Sequence, residues 1–202
     1  MEEETGIDSL AALYPEPKGR ALTKELRRLD VHCRRYIGLS PFVVIATASR
    51  EGRLDASPRG GPPGFVRAVD DGTLWLPDYT GNNRLDSLRN VVETGRAGLL
   101  FLIPGVDETL RVNGRARVRA DGEALAAFTS ERRPPRTVLE VSVEEAYLHC
   151  AKSLMRSRLW DPDSRQDRSV LPSTGQILHD QTGGSGPVET QEAMIARYQP
   201  DL

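Results

Sequence analysis

A short polar turn carries the residues of this chain that are best suited to bind an anion. Gly81-Asn82-Asn83-Arg84 follows an apolar run and precedes a segment with helical spacing. Asn82 or Asn83 would cap the helix, so that its first free N–H groups face an incoming anion. Arg84 adds a forked cation, which opposes the helix dipole unless an anion lies between them. Taken alone, the turn has two interpretations. It is either a phosphate site or a capped surface helix with a solvated arginine, and the second is the commoner structure.

A second group of possible ligand-binding residues lies at the end of an extended segment. Ser57-Pro58-Arg59-Gly60-Gly61 combines a hydroxyl, a forked cation and permissive backbone. Glycines let a flat ligand approach the main chain, and Ser57 and Arg59 offer donors to carbonyl or phosphate oxygens. A β-bulge with a solvated arginine explains the run equally well. The spacing matches neither a Walker A loop nor a Rossmann fingerprint, so it does not support nucleotide hydrolysis.

Two other polar segments have both a chemical and a structural interpretation. In the alternating segment 108–119, the arginines and Asn113 point to the side opposite the apolar residues, as on a solvated sheet surface. Four like charges would repel one another, so Arg111 with Asn113 would also suit a partner's acidic groups or a bound anion. Farther along, Lys152 and two arginines precede Trp160, which either offers a flat surface beside cations or anchors the core.

The remaining polar residues give little support for a metal site or for a nucleophilic catalytic residue. His149 and Cys150 would point to opposite faces of a strand, and no second ligand pair occurs at the usual spacing. The same geometry argues against a Cys-His nucleophilic pair. No nucleophile-elbow sequence is present, although a Ser-His-Asp triad need not have one. We therefore expect no metal site and name no catalytic residue.

Short strands and hairpin turns must position these residues. Because helices connect the strands without alternating with them, the pattern predicts a mostly β, α+β fold built on an antiparallel barrel. The predicted elements, in order, are an amphipathic helix that begins after Pro17 and extends to Ile37, strands 42–48, 54–59, 65–69 and 73–76, a helix from Arg84 to Val92, strands 96–103 and 108–119, a helix 123–128 and a strand 138–147.

We expect one main domain flanked by two tails. Residues 1–17 are acidic, contain two prolines and read as an N-terminal arm, and 18–165 form the domain. Beyond Trp160 the apolar residues no longer recur at a regular spacing, and 181–187 has the composition of a flexible linker. Residues 166–202 are therefore interpreted as a C-terminal tail, with a short helix within 188–198.

Composition limits the classes of partner. The 202 residues carry a net charge of -2, with a pI near 6.0, which gives no global electrostatic reason to bind nucleic acid or an anionic membrane. No apolar run is long enough to span a membrane. The two cysteines and the absence of an apolar N-terminal leader argue against a secreted, disulfide-stapled protein. We expect a cytoplasmic protein whose partners are small molecules or other proteins.

Taken together, the motifs resemble a known family. Ala56-Ser57-Pro58-Arg59-Gly60, the turn from Asp78 to Arg84 and Thr109-Leu110-Arg111-Val112-Asn113-Gly114 are similar, in order and spacing, to the pyridoxamine 5'-phosphate oxidase-like family of FMN-binding split barrels. The run from His149 to Pro162 resembles a flavin-nucleotide-binding branch of that family. The resemblance covers roughly residues 20–162 and implies a six-stranded antiparallel split β-barrel with short flanking helices that forms a homodimer.

The resemblance also implies a cofactor and the residues that hold it. FMN would lie in a groove between subunits, and the chemistry would be hydride transfer between the flavin and an unidentified small molecule. NADH, NADPH or a reduced deazaflavin would supply electrons. The implied cofactor-binding residues are Ser57, Arg59, Gly60, Asp78, Asn82, Asn83 and Arg84, then Thr109, Leu110 and Arg111 from the other subunit, and finally Lys152 and Trp160 near the ring or the substrate.

Two departures separate the chain from the oxidase that gives the family its name. The chain ends Gln199-Pro200-Asp201-Leu202 instead of with an Arg-Leu-x-Pro-like sequence, and its phosphate turn is Gly-Asn-Asn-Arg instead of a Ser-Arg-Lys pattern. The resemblance therefore supports FMN as the cofactor better than it supports pyridoxamine phosphate as the substrate. The split-barrel fold also hosts non-catalytic binders. The alternatives are a flavin-binding storage or sensor protein and a binder of a deazaflavin or haem.

Overall fold

The computed structural model describes residues 10, 12–14, 16, 18–19, 23–79, 81–129 and 134–201. The chain divides into two compact units, Met1–Met155 and Arg156–Leu202. The predicted arm lies largely outside the described residues, as do Leu22 at the start of the predicted first helix and Thr80 in the polar turn. The cavity that forms the candidate site belongs to the first unit.

One antiparallel sheet forms the frame of the first unit. Among the described residues it has seven strands, in the order β2-β1-β5-β6-β7-β4-β3. The strands are β1 (Phe42–Ala48), β2 (Leu54–Gly60), β3 (Arg67–Ala68), β4 (Thr73–Asp78), β5 (Arg96–Leu102), β6 (Thr109–Arg119) and β7 (Thr137–His149). The helices are α1 (Val31–Leu39), α2 (Asp86–Thr94), α3 (Gly122–Ala126) and α4 (Lys152–Ser157).

The predicted α+β, antiparallel architecture is confirmed, but the described sheet has seven strands and not six. Six is the number that the resemblance implies, whereas the strand pattern along the sequence predicts seven. Of these, β3 has two residues where a longer strand over 65–69 is predicted. β2 and β4 are not neighbours in the sheet, yet Arg59 Nη2 lies 3.8 Å from Asp78 Oδ1. The sheet therefore curls until its two ends approach each other, as in a split barrel.

The inner face of the curled sheet holds the core. Alternate residues of each central strand are buried, such as Val43 and Ile45 on β1 and Leu110 and Val112 on β6. Burial of these apolar side chains is the main driving force for the fold. The other face of β1 exposes Phe42 and Ala46, so β1 has the two-sided pattern of a strand with one face in the core.

The first predicted helix is shorter than its apolar spacing indicates. Helix α1 begins at Val31 because Asp30 caps it, accepting a hydrogen bond of 2.8 Å from the Cys33 N–H. Leu26 instead pairs with Ala146 of β7 through two backbone hydrogen bonds of 2.9 and 2.8 Å. The prediction of a helix that includes Leu26 is wrong, because strand pairing over a long sequence separation outweighs the local pattern.

Strands β6 and β7 are joined across an irregularity that requires glycine. Their register shifts between Asn113 and Gly114, the signature of a β-bulge. A Cβ on Gly114 would lie far inside the van der Waals distance of the Ser142 backbone oxygen. The backbone of β7 thus occupies the space that any other side chain would need.

The arginines of β6 are largely paired with carboxylates of the same chain. Arg115 pairs with Glu144, and Arg117 Nε donates to Glu140 Oε1 at 2.6 Å. Glu140 is buried and also accepts from Trp75 Nε1 at 2.9 Å and from Arg119 at 2.8 Å. Burial raises the pKa of Glu140, but these hydrogen bonds outweigh it and hold the pKa below its usual value.

The second unit contains more helix than the sequence predicts. Helix α5 (Thr174–Thr182) lies within the predicted tail, and α6 (Gln191–Tyr198) matches the short helix expected there. Ser173 and Thr190 cap the two helices by accepting from backbone N–H groups. Among the described residues, no helix is long and apolar enough to cross a membrane.

Candidate functional site

A cleft of about 460 Å³ lies where β2 approaches β4, beside the turn that leads into α2. We call it the arginine cleft. It is lined by Pro58, Arg59, Gly60, Asp78, Tyr79, Gly81, Asn82, Asn83, Arg84, Leu85, Leu88, Arg136 and Thr137. Six residues of the implied flavin site, drawn from two distant motifs, therefore lie around one cavity.

Strands β2 and β4 place a cation and a carboxylate together in this cleft. Asp55, Ser57 and Arg59 share one face of β2 because strand side chains alternate. Arg59 and Asp78 are mostly buried, with side-chain exposures of 25% and 20%. Burial raises the pKa of Asp78, and nearby Arg59 opposes that rise. A bound anion would take Arg59 as a partner in competition with Asp78.

The polar turn adopts a geometry different from the predicted helix cap. Asn82 Oδ1 accepts a 3.0 Å hydrogen bond from the Arg84 N–H, and Asn83 has a left-handed φ of 58°. Helix α2 begins only at Asp86, with Leu85 at the N-cap position and no side-chain capping bond in the described structure. Asn82 thus closes a local Asx turn before the helix, and the prediction that an asparagine caps α2 is wrong.

The charge of Arg84 has a partner within the chain. Arg84 Nε donates to Asp86 Oδ2 at 2.9 Å, with the arginine side chain 79% exposed. The negative group expected between Arg84 and the helix start is therefore already supplied by Asp86. Nη1 and Nη2 of Arg84 donate no hydrogen bond within the part of the chain that the structure describes, so their N–H groups could serve a ligand.

Two polar cleft residues, Arg136 and Thr137, lie outside every motif recognised in the sequence. Arg136 adds a third arginine to the lining, and its backbone N–H donates to Asp78 O at 3.2 Å. Thr137 pairs with Asp78 across β4 and β7, and its buried Oγ1 finds no hydrogen-bond partner among the described residues. Burying a hydroxyl without a partner is costly, so a ligand group that reached Oγ1 from the cleft would relieve that cost. In the sequence, the local feature that marks the position of Arg136 and Thr137 is the Pro134-Pro135 break just before this strand.

Ser57 lies on the expected strand but is engaged away from the cleft lining. Its hydroxyl donates to the Asp55 carboxylate at 3.2 Å. Asp55 Oδ2 also accepts from Ser87 Oγ, on the first turn of α2, at 2.5 Å. In this chain Ser57 is thus part of a contact between β2 and α2, and it does not line the arginine cleft.

The residues expected from a second subunit lie elsewhere on the sheet. Thr109, Leu110 and Arg111 open β6, separated from β4 by β7. Leu110 is fully buried in the core, so its side chain is not available to a ligand. Arg111 faces outward, donates to Tyr147 Oη at 2.9 Å and lies over the Tyr147 ring. None of the three lines the arginine cleft of its own chain.

The last two implied site residues follow β7. Lys152 opens α4 and is exposed. Trp160 belongs to the second unit and is partly buried. Neither lines the arginine cleft, and their proximity to a flavin ring stays a prediction.

The arginine cleft has the chemistry of a phosphate site. The lining includes three arginines, at positions 59, 84 and 136, and one carboxylate, that of Asp78, which lies beside Arg59. Because Arg84 pairs with Asp86, the excess is one positive charge. Guanidinium groups bind phosphate oxygens through paired N–H donors, and the Thr137 hydroxyl adds a donor in a buried position. The residues present fit a phosphate-bearing cofactor or substrate.

Comparisons with known proteins point to one family. The model of the pyridoxamine 5'-phosphate oxidase family matches residues 29–150. The sequence matches no curated protein. The structure of HupZ from Group A Streptococcus is 18% identical with a TM-score of 0.50, over 59% of this chain and 93% of that chain. A variant of HupZ gives the same identity and TM-score, over 60% and 99%. An FMN-binding protein from Syntrophomonas wolfei is 16% identical with a TM-score of 0.42, over 58% and 83%.

Proposed function

Because the chain belongs to the pyridoxamine 5'-phosphate oxidase family, we propose that it is an FMN-dependent oxidoreductase acting on a small molecule. The observation that carries the proposal is the arginine cleft. Arg59, Arg84 and Arg136, from three separate segments, line one cavity together with the buried hydroxyl of Thr137. A terminal phosphate carries about two negative charges and several acceptor oxygens, which match this set of donors.

Each cleft residue has a definite task in this proposal. Arg59 from β2 and Arg136 from the residue before β7 offer N–H donors to the phosphate, and Arg84 adds charge from the turn. Thr137 donates its hydroxyl to a phosphate oxygen, which satisfies the buried Oγ1. Asp78 pairs with Arg59 and orients it. When bound, FMN supplies the group that exchanges a hydride with the substrate.

We further propose that the protein works as a homodimer, with the outer face of the sheet as the subunit interface. That face exposes Phe42 and Leu54, and it contains a shallow depression of about 560 Å³ at Ala46, Gly98 and Asn113. Exposed apolar area of this kind often marks a protein contact. The outward-facing side chain at position 111 lies on the same face, so a second copy would bring this arginine to the flavin from outside the first chain's cleft.

The first experiment is a visible spectrum of the purified protein, followed by acid release and chromatographic identification of the released flavin. We expect a yellow protein that releases FMN. A colourless protein that does not take up added FMN would refute both the enzyme and the flavin-binding alternative, and a bound deazaflavin or haem would be recognised by its own spectrum.

The second experiment separates turnover from storage. The FMN-loaded protein is mixed anaerobically with NADH, NADPH or a reduced deazaflavin, and the flavin absorbance is followed before and after candidate acceptors are added. Reduction and reoxidation in repeated cycles support the oxidoreductase. A flavin that stays oxidised with every donor supports the non-catalytic binder.

A further inference from the structure

A polar network joins helix α2 to strands β1 and β2. Asp55 of β2 accepts from Ser87 Oγ at 2.5 Å, and Ser87 is only 2% exposed. One turn later, Asn90 Nδ2 donates to Thr47 Oγ1 of β1 at 3.0 Å, between two buried side chains. Two directional contacts, one to each strand, thus fix how α2 lies on the sheet.

These two hydrogen bonds hold helix α2 in one orientation on the sheet, and they also stabilise its packing. Apolar packing, such as that of buried Val91, holds a helix on a sheet but tolerates small shifts. Hydrogen bonds between buried groups fix position and angle, because leaving either partner unpaired is costly. The network therefore restricts sliding of α2 along β1 and β2.

Strand β2 and helix α2 both contribute to the lining of the arginine cleft. Arg59 lies on the same face of β2 as Asp55, because strand side chains alternate and the two positions differ by an even number. Arg84, Leu85 and Leu88 line the cleft from the turn into α2 and from the helix itself. The separation of Arg59 from Arg84 therefore depends on where α2 lies, and the contact of Asp55 with the first turn of α2 joins the two elements directly.

We propose that Asp55 is a positioning residue for the phosphate end of the cofactor site: through Ser87 it holds α2, and with it Arg84, at the distance from β2 that suits one phosphate group. This inference rests on the proposed function, because it presumes that the cleft binds the FMN phosphate. It also assigns to Asp55 and Ser87 a role that no motif in the sequence indicates.

The test compares FMN with riboflavin, which has the same ring and ribityl chain but no phosphate. Dissociation constants for both are measured by fluorescence quenching with the apoprotein, for the wild type, Asp55→Asn and Ser87→Ala. Removing a residue that orients a binding residue commonly costs about tenfold or more in ligand affinity, so each variant should raise the Kd for FMN about tenfold and leave the Kd for riboflavin unchanged.

A matched control lies on the same helix. Thr94→Val removes a hydroxyl that donates to the helix's own Asn90 O at 2.8 Å, and it should leave the ratio of the two dissociation constants at the wild-type value. Equal rises for FMN and riboflavin in Asp55→Asn and Ser87→Ala, or no rise for FMN in either, would overturn the proposal. If the wild type itself fails to bind FMN, the proposed function fails instead.

Discussion

Replacing Arg59 by methionine removes one cation from the arginine cleft and keeps most of the side-chain length. The Arg59 side chain is 25% exposed and lies 3.8 Å from the Asp78 carboxylate. A hydrogen bond to a charged partner in such a site contributes about 1.5–3 kcal/mol, which corresponds to a rise in the Kd for FMN of about 10- to 150-fold. The upper part of this range is expected, because the substitution also leaves Asp78 to repel the phosphate.

The assay is a titration of apoprotein with FMN at fixed ionic strength, followed by quenching of flavin fluorescence. Arg53→Met is the matched control, because Arg53 precedes β2, is 85% exposed and pairs with Glu51 outside the cleft. It removes the same charge from the same region, so it should change the Kd very little. An equal effect of both substitutions, or wild-type affinity in Arg59→Met, would refute the assignment of Arg59 to the phosphate.

Three further predictions concern the stability of the fold and the reactivity of its cysteines. Glu140→Gln should lower the free energy of unfolding by about 1.5–3 kcal/mol in urea titrations. Because the folded-state pKa of Glu140 lies below its ordinary 4.5, this difference should be full above that pH and shrink as the pH falls below it. Gly114→Ala should destabilise the protein by about 1–3 kcal/mol or more, since its Cβ would clash with the Ser142 backbone oxygen; an unchanged melting temperature would contradict this. Burial raises the pKa of Cys33 to about 11, so iodoacetamide at about pH 8 should label exposed Cys150 and spare Cys33, as mass spectrometry of the folded protein would show.

The sequence predicts the strands well because their alternation is local. Segment 108–119 was predicted almost to the residue, since its apolar side chains alternate toward the core. The first helix was predicted too long, because the pairing of Leu26 with Ala146 depends on two residues far apart in the chain. Local periodicity cannot report a contact of that kind.

The candidate site was predictable only in part for the same reason. The motifs around Arg59 and Arg84 can be recognised along the chain, and the curled sheet brings them to one cleft. Arg136 and Thr137 belong to no motif, and they reach the cleft because β7 pairs with β4. The residue type of Ser57 predicts that it binds a ligand, whereas its hydroxyl donates a hydrogen bond to Asp55 of the same strand.

The central claim is that the arginine cleft holds a flavin by its phosphate, and the most direct measurement is the affinity of wild-type apoprotein for FMN compared with riboflavin. If the cleft arginines and the Thr137 hydroxyl contact the phosphate, FMN should bind more tightly by on the order of 100-fold or more. Equal dissociation constants for the two flavins would show that the phosphate makes no net contribution, and would contradict the account.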